Sequence, residues 1–305
     1  MPELSLFPRE DRFSDQRKTL GHAEIQYKDA TSILTPASGF MAGYDFTLNP
    51  YSGCSFGCNY CYAASFVKEP GKKENWGGWV DVKRNALDLL KTFRKKPIIN
   101  KTIYISSVTD PYQPIEKDLK LTRDLLDELA KHHQAKIVIQ TRSPLIERDL
   151  DILSKFKDLQ VNMTVTTDSE RIRKMFEPYC TANQKRIEAI KALSAAGLRT
   201  CITMTPLLPV EDPVAFAQSL KDSGATHFIV QEFHDFDKKF SAGTPSEINT
   251  LLKAIGWNSD SYRTIVAKLT NELPGLTFGK QGFEPRFESD GKIKAPGQKN
   301  TGLGM

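Results

Sequence analysis

Residues 49–62 read NPYSGCSFGCNYCY and place Cys54, Cys58 and Cys61 in one short loop. Thiolates at this spacing can wrap around a cubic iron–sulfur cluster and bind three of its irons, which leaves the fourth iron without a protein ligand. A glycine precedes each of the first two cysteines, and glycine permits the positive φ and close backbone approach that a tight loop needs. The stretch therefore predicts a 4Fe–4S site.

Zinc and disulfide alternatives are weaker on ligand count. A structural zinc site usually takes four ligands as two separated pairs, and no second Cys pair or Cys/His pair follows in this chain. Five cysteines in 305 residues are too few, and odd in number, for a disulfide framework. We therefore favour an iron–sulfur cluster over zinc and over a chance grouping of buried cysteines.

The cysteine stretch resembles the signature of the radical S-adenosylmethionine (SAM) enzymes, in which an aromatic residue, here Tyr60, precedes the third cysteine. Two further stretches resemble, more narrowly, the spore photoproduct lyase-like or DNA repair photolyase-like branch. They are TDPYQPIE at residues 109–116 and FEPYCTANQKRIEAIKALSAAG at residues 176–197. The resemblance spans about residues 30–235. It is specific for the cofactor chemistry and says little about the substrate.

Short β-branched runs alternate with longer helical patterns from residue 100 onward, which predicts an α/β fold with a parallel sheet. Candidate strands cover residues 43–48, 102–107, 136–140, 160–165, 199–204 and 227–231. Candidate helices cover residues 80–95, 120–133, 145–156, 183–196, 213–223 and 246–255. Neither GxGxxG nor a GxxxxGK phosphate-binding loop follows a strand, so the usual nucleotide signatures are missing.

The resemblance implies how these elements are arranged. Radical SAM enzymes have a partial (β/α)6 TIM-type barrel, with the cluster loop after the first strand and functional residues at the C-terminal strand ends. We expect an N-terminal arm at residues 1–40 and a radical SAM core barrel at residues 41–235. Residues 236–305 would form a C-terminal extension that covers the barrel and ends in a flexible tail.

Composition bears on where the protein is located and on what it can bind. The chain is 39% hydrophobic, no run approaches about 18 apolar residues, and MPELSLFPREDR at the N-terminus lacks an apolar signal core. A cytoplasmic protein without a membrane partner is expected, in a reducing compartment that suits thiolates. The net charge of +5 permits a nucleic-acid partner without requiring one. A monomer is the expected state.

The resemblance also implies the chemistry. In the family, SAM binds the fourth iron, and the reduced cluster cleaves SAM to a 5′-deoxyadenosyl radical that abstracts hydrogen from a substrate. The protein must then exclude water and competing C–H bonds. A 4Fe–4S cluster and SAM are the expected cofactors, and a reductant such as flavodoxin or ferredoxin is an expected partner.

Several SAM contacts follow by position along the family's strands. Tyr60 is expected near the adenine, and Leu208, in the apolar stretch after strand five, is expected to pack on it. Ser107 and Asp110 take the place of the family's amine-binding motif, although the usual glycine–glycine–glutamate form is absent. Hydroxyls and a carboxylate suit an ammonium group. The alternative role of Asp110 is that of a turn residue before a proline.

Hydroxyl groups at the ends of strands three and four are further candidates. Thr141 and Ser143 could reach the ribose or carboxylate of SAM, and Thr166 offers the same type of contact. Arg142 is less certain, since alternation along a strand points it away from its two neighbours. Arg171 could pair with the SAM carboxylate, with an exposed helix-start arginine as the alternative.

The hydrogen-atom donor is harder to assign. Spore photoproduct lyase uses a cysteine near the end of strand two, whereas this chain reads YISSVTDPYQP there and has no cysteine. The departure weakens an assignment to thymine-dimer repair. Tyr112 and Cys180 are the candidate catalytic residues, the latter because a loop thiol near a helix start is more easily ionised. Ordinary packing is the alternative for both residues.

The leading hypothesis is a radical SAM enzyme, lyase-like or otherwise radical-modifying, that acts on a nucleobase in DNA or RNA. A peptide or small metabolite is the alternative substrate class. A non-catalytic iron–sulfur or zinc protein that binds nucleic acid is the alternative function. Only the catalytic hypotheses predict formation of 5′-deoxyadenosine.

Overall fold

The computed structural model describes residues 17–233 and 246–287. The first 16 residues of the predicted N-terminal arm lie outside the described residues. So do residues 234–245 and residues 288–305, which include most of the predicted flexible tail.

The strands of the described residues form two sheets. In chain order they are β1 (Thr19–Leu20), β2 (Ala23–Lys28), β3 (Leu34–Pro36), β4 (Phe46–Leu48), β5 (Tyr51–Gly53), β6 (Trp79–Lys83), β7 (Ile99–Ile105), β8 (Gln134–Thr141), β9 (Leu159–Thr164), β10 (Arg199–Met204), β11 (His227–Val230) and β12 (Leu276–Phe278). The smaller sheet has the order β1-β2-β6-β5, and the larger has the order β12-β11-β10-β9-β8-β7-β4-β3.

The larger sheet is the predicted parallel sheet. Strand β4 and strands β7 to β11 correspond to the six candidate strands, and each pairs in parallel with the next. Strand β12 adds a parallel strand beside β11, and β3 adds an antiparallel strand beside β4. The sequential order of the six strands is that of a partial (β/α) barrel, so the predicted fold class is confirmed.

Helices follow most of the parallel strands. They are α1 (Pro70–Glu74), α2 (Ala86–Lys91), α3 (Glu116–Leu119), α4 (Leu121–His132), α5 (Leu150–Leu153), α6 (Glu170–Phe176), α7 (Asn183–Ala195), α8 (Pro213–Asp222), α9 (Ser246–Ala254), α10 (Ser259–Glu272) and α11 (Gly279–Gly282). Short 3-10 helices cover Gly39–Met41, Tyr62–Phe66, Thr92–Lys95 and Pro144–Asp149. No helix in the described part of the chain is long and apolar enough to span a lipid bilayer.

Two predicted helices were wrong in part. The first four residues of the helix predicted over residues 80–95 belong to strand β6, which lies between β2 and β5. Its buried Val80 and Val82 alternate with half-buried Asp81 and Lys83, and β-branched residues suit a strand. The helix predicted over residues 145–156 is a 3-10 helix followed by the single turn α5.

Successive residues of the barrel strands belong to different cores. Ile103 and Ile105 of β7 lie in the main core, which also contains the apolar residues of α4. Tyr104 between them packs instead with Val138 and Cys201 in a separate cluster. The strands therefore have a helix-facing side and an interior side, as alternation requires.

Candidate active site

The cysteine loop joins β5 to the 3-10 helix Tyr62–Phe66. Cys54 and Cys58 are buried, Cys61 is half-buried, and all three thiols are free. Their side chains contribute to an apolar group that we call the site cluster: Cys54, Phe56, Cys58, Tyr60, Ile172, Phe176, Cys180, Leu208, Ile248 and Leu252, with Cys61 packed against it. Two of the predicted cluster ligands thus belong to one buried apolar region, and the third packs against it.

The two loop glycines have the predicted backbone conformation. Gly53 has a φ of +73°, and a Cβ there would lie 2.5 Å from the carbonyl oxygen of Trp79. Gly57 has a φ of +53°, and a Cβ there would lie 3.3 Å from Cα of Gly77. Both positions favour glycine because of the left-handed backbone, and Gly53 also because of the neighbouring strand.

The stretch after β7 supports the first half of the cysteine loop. Thr109 Oγ1 donates a hydrogen bond of 2.5 Å to the carbonyl oxygen of Gly53. The backbone amide of Ser55 donates one of 3.0 Å to Oε1 of Gln113, a fully buried side chain. Gln113 Nε2 in turn donates to Thr109 Oγ1 at 3.3 Å. The TDPYQP motif is therefore a brace for the cysteine loop.

The end of α6 supports the second half of the loop. Asn59 Nδ2 donates a hydrogen bond of 2.7 Å to the carbonyl oxygen of Met175. The backbone amide of Asn59 donates one of 2.9 Å to the carbonyl oxygen of Phe176. Cys180 places its Sγ 3.7 Å from Cys58 Sγ. The three stretches that carry the family resemblance, although far apart in sequence, thus meet at one place.

Arg142 follows directly after β8 and points into this site. Its Nη1 donates to Cys58 Sγ at 2.9 Å and to the hydroxyl of Tyr60 at 2.8 Å, and it lies 3.4 Å from Oε1 of Glu177. Alternation does separate Arg142 from Thr141, as expected. The side chain of Arg142 reaches the cysteine loop, a contact that alternation along the strand did not predict.

Glu177 is a fully buried carboxylate at the centre of the charges. It accepts hydrogen bonds from the Tyr60 hydroxyl and, at 3.0 Å, from Thr166 Oγ1. Nη2 of Arg186 lies 2.6 Å from Oε2 of Glu177, although the pair is not aligned as a hydrogen bond. Burial alone would raise the pKa of Glu177, but Arg186 and Arg142 together lower it to about 2.

A positive charge lies directly beside Cys58. Arg142 and Arg186 both lie close to the buried Glu177 carboxylate, and Arg186 is the nearer of the two, at 2.6 Å against 3.4 Å for Arg142. Burial opposes ionisation of the Cys58 thiol, yet the hydrogen bond with Cys180 and the charge of Arg142 lower its pKa. A buried charge is costly without a partner. A thiolate at Cys58, or an anionic cluster bound to it, would be a partner for the Arg142 guanidinium.

The side chains of the site do not suit a single metal ion. Within residues 17–233 and 246–287, no three His, Cys, Asp or Glu side chains converge in the way that one ion requires. Thiolates that hold an iron–sulfur cluster bind at its corners and stay further apart. Three cysteines in one buried loop, beside the positive charge of Arg142, therefore fit a cluster.

Asp110 braces the ends of neighbouring strands. Its carboxylate accepts from Thr141 Oγ1 at 2.7 Å, from the backbone amide of Tyr112 at 2.9 Å and from that of Arg142 at 2.9 Å. Burial raises the pKa of this carboxyl group, and the Thr141 hydrogen bond offsets part of the rise. These contacts hold Asp110 and Thr141 together and fix the start of Arg142.

The segment before Asp110 has an unusual backbone. Ser106 is buried with a φ of +71°, and its hydroxyl has no partner among the described residues. Strain of this kind is typical of functional sites. The next residue, Ser107, is half-buried, accepts from Nδ2 of Asn49 at 3.3 Å and also accepts the Tyr62 hydroxyl on its carbonyl oxygen.

The remaining candidates lie in different places. Leu208 is fully buried in the site cluster, whereas Tyr112 is fully buried in the main core. Ser143 caps the 3-10 helix Pro144–Asp149 by accepting from the amide of Leu145 at 3.3 Å. Arg171 is exposed on α6.

Glu177 and Arg186 are site residues that the sequence did not single out. A signal for Arg186 exists in the pattern of α7, because it is three and four residues before the buried Ala189 and Ile190 and so shares their helix face. A charged residue on an apolar face needs a buried partner. Glu177 carries no comparable signal beyond its place between Phe176 and a proline.

Comparison with known proteins adds independent findings. The family model described as Radical SAM superfamily matches residues 48–222. An uncharacterized protein of Methanocaldococcus jannaschii is 41% identical over 171 residues, which is 55% of this chain and 62% of the relative. A radical SAM Nα-GlyT isomerase of Pseudomonas phage M6 is 24% identical over 212 residues, 68% of this chain and 42% of the relative. The chain thus spans less than two thirds of the length of either relative.

Solved structures give the fold. Spore photoproduct lyase complexed with dinucleoside spore photoproduct superposes with a TM-score of 0.58, covering 84% of this chain and 81% of the lyase, at 11% sequence identity. Identity this low supports the shared fold alone. The family match covers more than half of the 305 residues and includes the cysteine loop, both of its braces and Arg142. The chain therefore belongs to the radical SAM superfamily.

Proposed function

We propose that this protein is a radical SAM enzyme whose Cys54, Cys58 and Cys61 hold a 4Fe–4S cluster. When bound, the cluster would supply the electron that cleaves SAM to a 5′-deoxyadenosyl radical, which abstracts hydrogen from a substrate. The observation that carries the proposal is the buried positive charge of Arg142, placed 2.9 Å from Cys58 in a loop braced on both sides. A reductant such as flavodoxin or ferredoxin is the proposed electron donor.

SAM contacts are proposed for residues at the interior strand ends. Tyr60 and Leu208 lie in the site cluster and are proposed to contact the adenine, and Thr166 lies beside them. Ser107 and Ser143 stay proposed contacts at the ends of neighbouring strands. The carboxylate of Asp110 and the hydroxyl of Thr141 already bond each other, which favours an indirect role in shaping this rim.

Arg171 and the hydrogen donors are separate proposals. Arg171 would have to turn inward from the exposed face of α6 to reach a carboxylate. Cys180 is the better placed hydrogen donor, since its thiol lies against Cys58 in the site cluster. Tyr112 is enclosed in the main core and would act only through other side chains.

We propose a nucleobase in DNA or RNA as the substrate. The likeness to spore photoproduct lyase extends over most of the chain, and the net charge of +5 suits a polyanion. Peptide and small-metabolite substrates, and a non-catalytic role in binding nucleic acid, stay as alternatives. We further propose that residues 41–235 are the catalytic core and that residues 236–305 cover it.

The proposal is tested by loading the cluster. Anaerobic reconstitution should give about four irons and four sulfides per wild-type chain, with an EPR signal on dithionite reduction that changes when SAM is added. Cys54→Ala, Cys58→Ala and Cys61→Ala should each lose most of the iron. Cys201→Ala is the matched control, because this buried cysteine lies on β10 outside the loop. Iron content equal to wild type in the three loop variants would refute the proposal.

A further inference from the structure

We propose that Arg142 sets the reduction potential of the iron–sulfur centre, by donating a charge-assisted hydrogen bond to the sulfur of Cys58. The inference rests on the proposed function, because it needs a cluster bound to Cys58. It assigns Arg142 a role on the electron-accepting group rather than on substrate. The direction is an increase in potential, which makes reduction by a physiological donor easier.

The contact has the geometry that such a role needs. Nη1 of Arg142 lies 2.9 Å from Cys58 Sγ, and the Arg142 side chain is only 17% exposed. Hydrogen bonds to the sulfurs and burial from solvent are two of the levers that set iron–sulfur potentials. A charged donor makes the stronger hydrogen bond, and the low dielectric around it strengthens the interaction further.

Arg142 is fixed at both ends. Its backbone amide donates to Asp110 at 2.9 Å, which anchors the start of the residue at the end of β8. Its guanidinium also donates to the Tyr60 hydroxyl at 2.8 Å, and Tyr60 itself bonds Glu177. An arginine held in this way can present one N–H to the sulfur without a search through rotamers.

A structural salt bridge to Glu177 is the competing explanation, and the distances argue against it. Arg186 lies 2.6 Å from Glu177 and is fully buried with it, so that carboxylate already has a close countercharge. Arg142 is further from Glu177, at 3.4 Å, than from Cys58 Sγ, at 2.9 Å. Glu177 therefore does not need Arg142 as its countercharge, and Nη1 of Arg142 lies within hydrogen-bonding distance of the Cys58 thiol, at 2.9 Å, and of the Tyr60 hydroxyl, at 2.8 Å.

The sign of the effect follows from charge. Reduction adds one negative charge to the centre, and a nearby buried cation stabilises the more negative state more strongly. Removing the cation should therefore lower the midpoint potential. A tenfold change in the equilibrium constant of a one-electron step corresponds to about 59 mV.

The test is a redox titration of reconstituted protein without SAM, in which the EPR signal of the reduced cluster reports the fraction reduced. We expect Arg142→Met to lower the equilibrium constant for reduction about tenfold or more, a shift of about 59 mV or more. Arg142→Gln, which is also neutral but polar, should shift the midpoint potential in the same direction. It replaces the Met variant in the titration if that variant does not hold the cluster. Arg263→Met, at an exposed position on α10, is the control and should titrate like wild type.

The outcomes separate this inference from the proposed function. A wild-type midpoint potential in a loaded Arg142→Met or Arg142→Gln variant would overturn the role of Arg142 and leave the cluster assignment standing. An increase in potential would overturn it as well, because the sign would be wrong. Failure of the wild type to bind iron and sulfide would instead overturn the proposed function.

Discussion

The guanidinium of Arg142 lies within 3.4 Å of three side chains from two separate parts of the chain: Cys58 and Tyr60 in the cysteine loop, and Glu177 after α6. Glu177 also contacts Arg186, and Nη1 of Arg186 donates a hydrogen bond of 3.0 Å to the carbonyl oxygen of Thr164. The charged groups are therefore tied to the barrel strands rather than to mobile surface. Removing one partner of a buried ion pair strongly destabilises the fold, because the other partner is left as an uncompensated buried charge.

Glu177 should stabilise the fold in a pH-dependent way. Its pKa falls to about 2 in the folded state, because Arg186 and Arg142 outweigh the effect of burial. The stabilisation is thus present above the unfolded pKa of about 4.3 and is lost as the pH falls toward 2. We expect Glu177→Gln to lower the free energy of unfolding of cluster-free, reduced protein by about 3 kcal/mol near pH 7, and by progressively less toward pH 2.

Urea unfolding at several pH values measures this difference. Glu188→Gln is the matched control, because this exposed glutamate on α7 contacts Lys185 and Gln184 at the surface. It should change the free energy of unfolding by no more than about 0.5 kcal/mol. A constant gap between wild type and Glu177→Gln across pH 7 to about 3 would contradict the assigned charge state of Glu177.

The candidate cluster ligands could be selected from the sequence because their signal is local. Cys54, Cys58 and Cys61 fall within eight residues, and their spacing alone predicts a cluster loop. The Arg142 and Glu177 contact joins residues 35 positions apart, so it depends on how the strands assemble. Alternation showed that Arg142 and Thr141 face opposite ways, but a single strand carries no mark of which side is the barrel interior.

Secondary-structure elements could likewise be predicted only where the local sequence pattern decides between strand and helix. The six barrel strands were predicted close to their observed bounds, because short β-branched runs separated by helices indicate β/α repeats. Strand β6 was missed because apolar residues from Val82 onward also recur at helical spacing into α2. Pairing of β6 with β2 and β5, which are distant in sequence, decides in favour of the strand.

The junction of β5 and the cysteine loop gives a test at this level. Gly53→Ala would place a Cβ 2.5 Å from the Trp79 carbonyl oxygen at a φ of +73°. Left-handed backbone alone costs about 1–2 kcal/mol for a residue with a Cβ. We expect a lower melting temperature and a lower iron content after reconstitution, measured by thermal unfolding and iron assay.

Gly71→Ala provides the comparison, since a Cβ at that position in α1 meets nothing within 4 Å and φ there is not positive. This variant should match or exceed the wild-type melting temperature, because alanine favours helix. Equal melting temperatures and iron contents for the two variants would argue against a role for the Gly53 conformation in shaping the loop.

In the whole molecule, parallel order explains why distant motifs meet. The C-terminal ends of parallel strands lie at one edge, so the segments after β4, β7, β8 and β9 come together there, and the segment after β4 leads through β5 into the cysteine loop. This edge gathers the cysteine loop, its TDPYQP brace, Arg142 and the segment from α6 to Cys180. Fold class and site location thus followed from the β/α pattern and the family resemblance, while the charge arrangement required the assembled barrel.

The most direct test is chemical. Reconstituted protein, reduced with dithionite under anaerobic conditions and supplied with SAM, is assayed for 5′-deoxyadenosine in wild type, Cys58→Ala and Cys201→Ala. Radical SAM chemistry predicts 5′-deoxyadenosine from the wild type and from Cys201→Ala, and none above background from Cys58→Ala. No product from wild-type protein with a spectroscopically intact cluster, or equal product from Cys58→Ala, would contradict it.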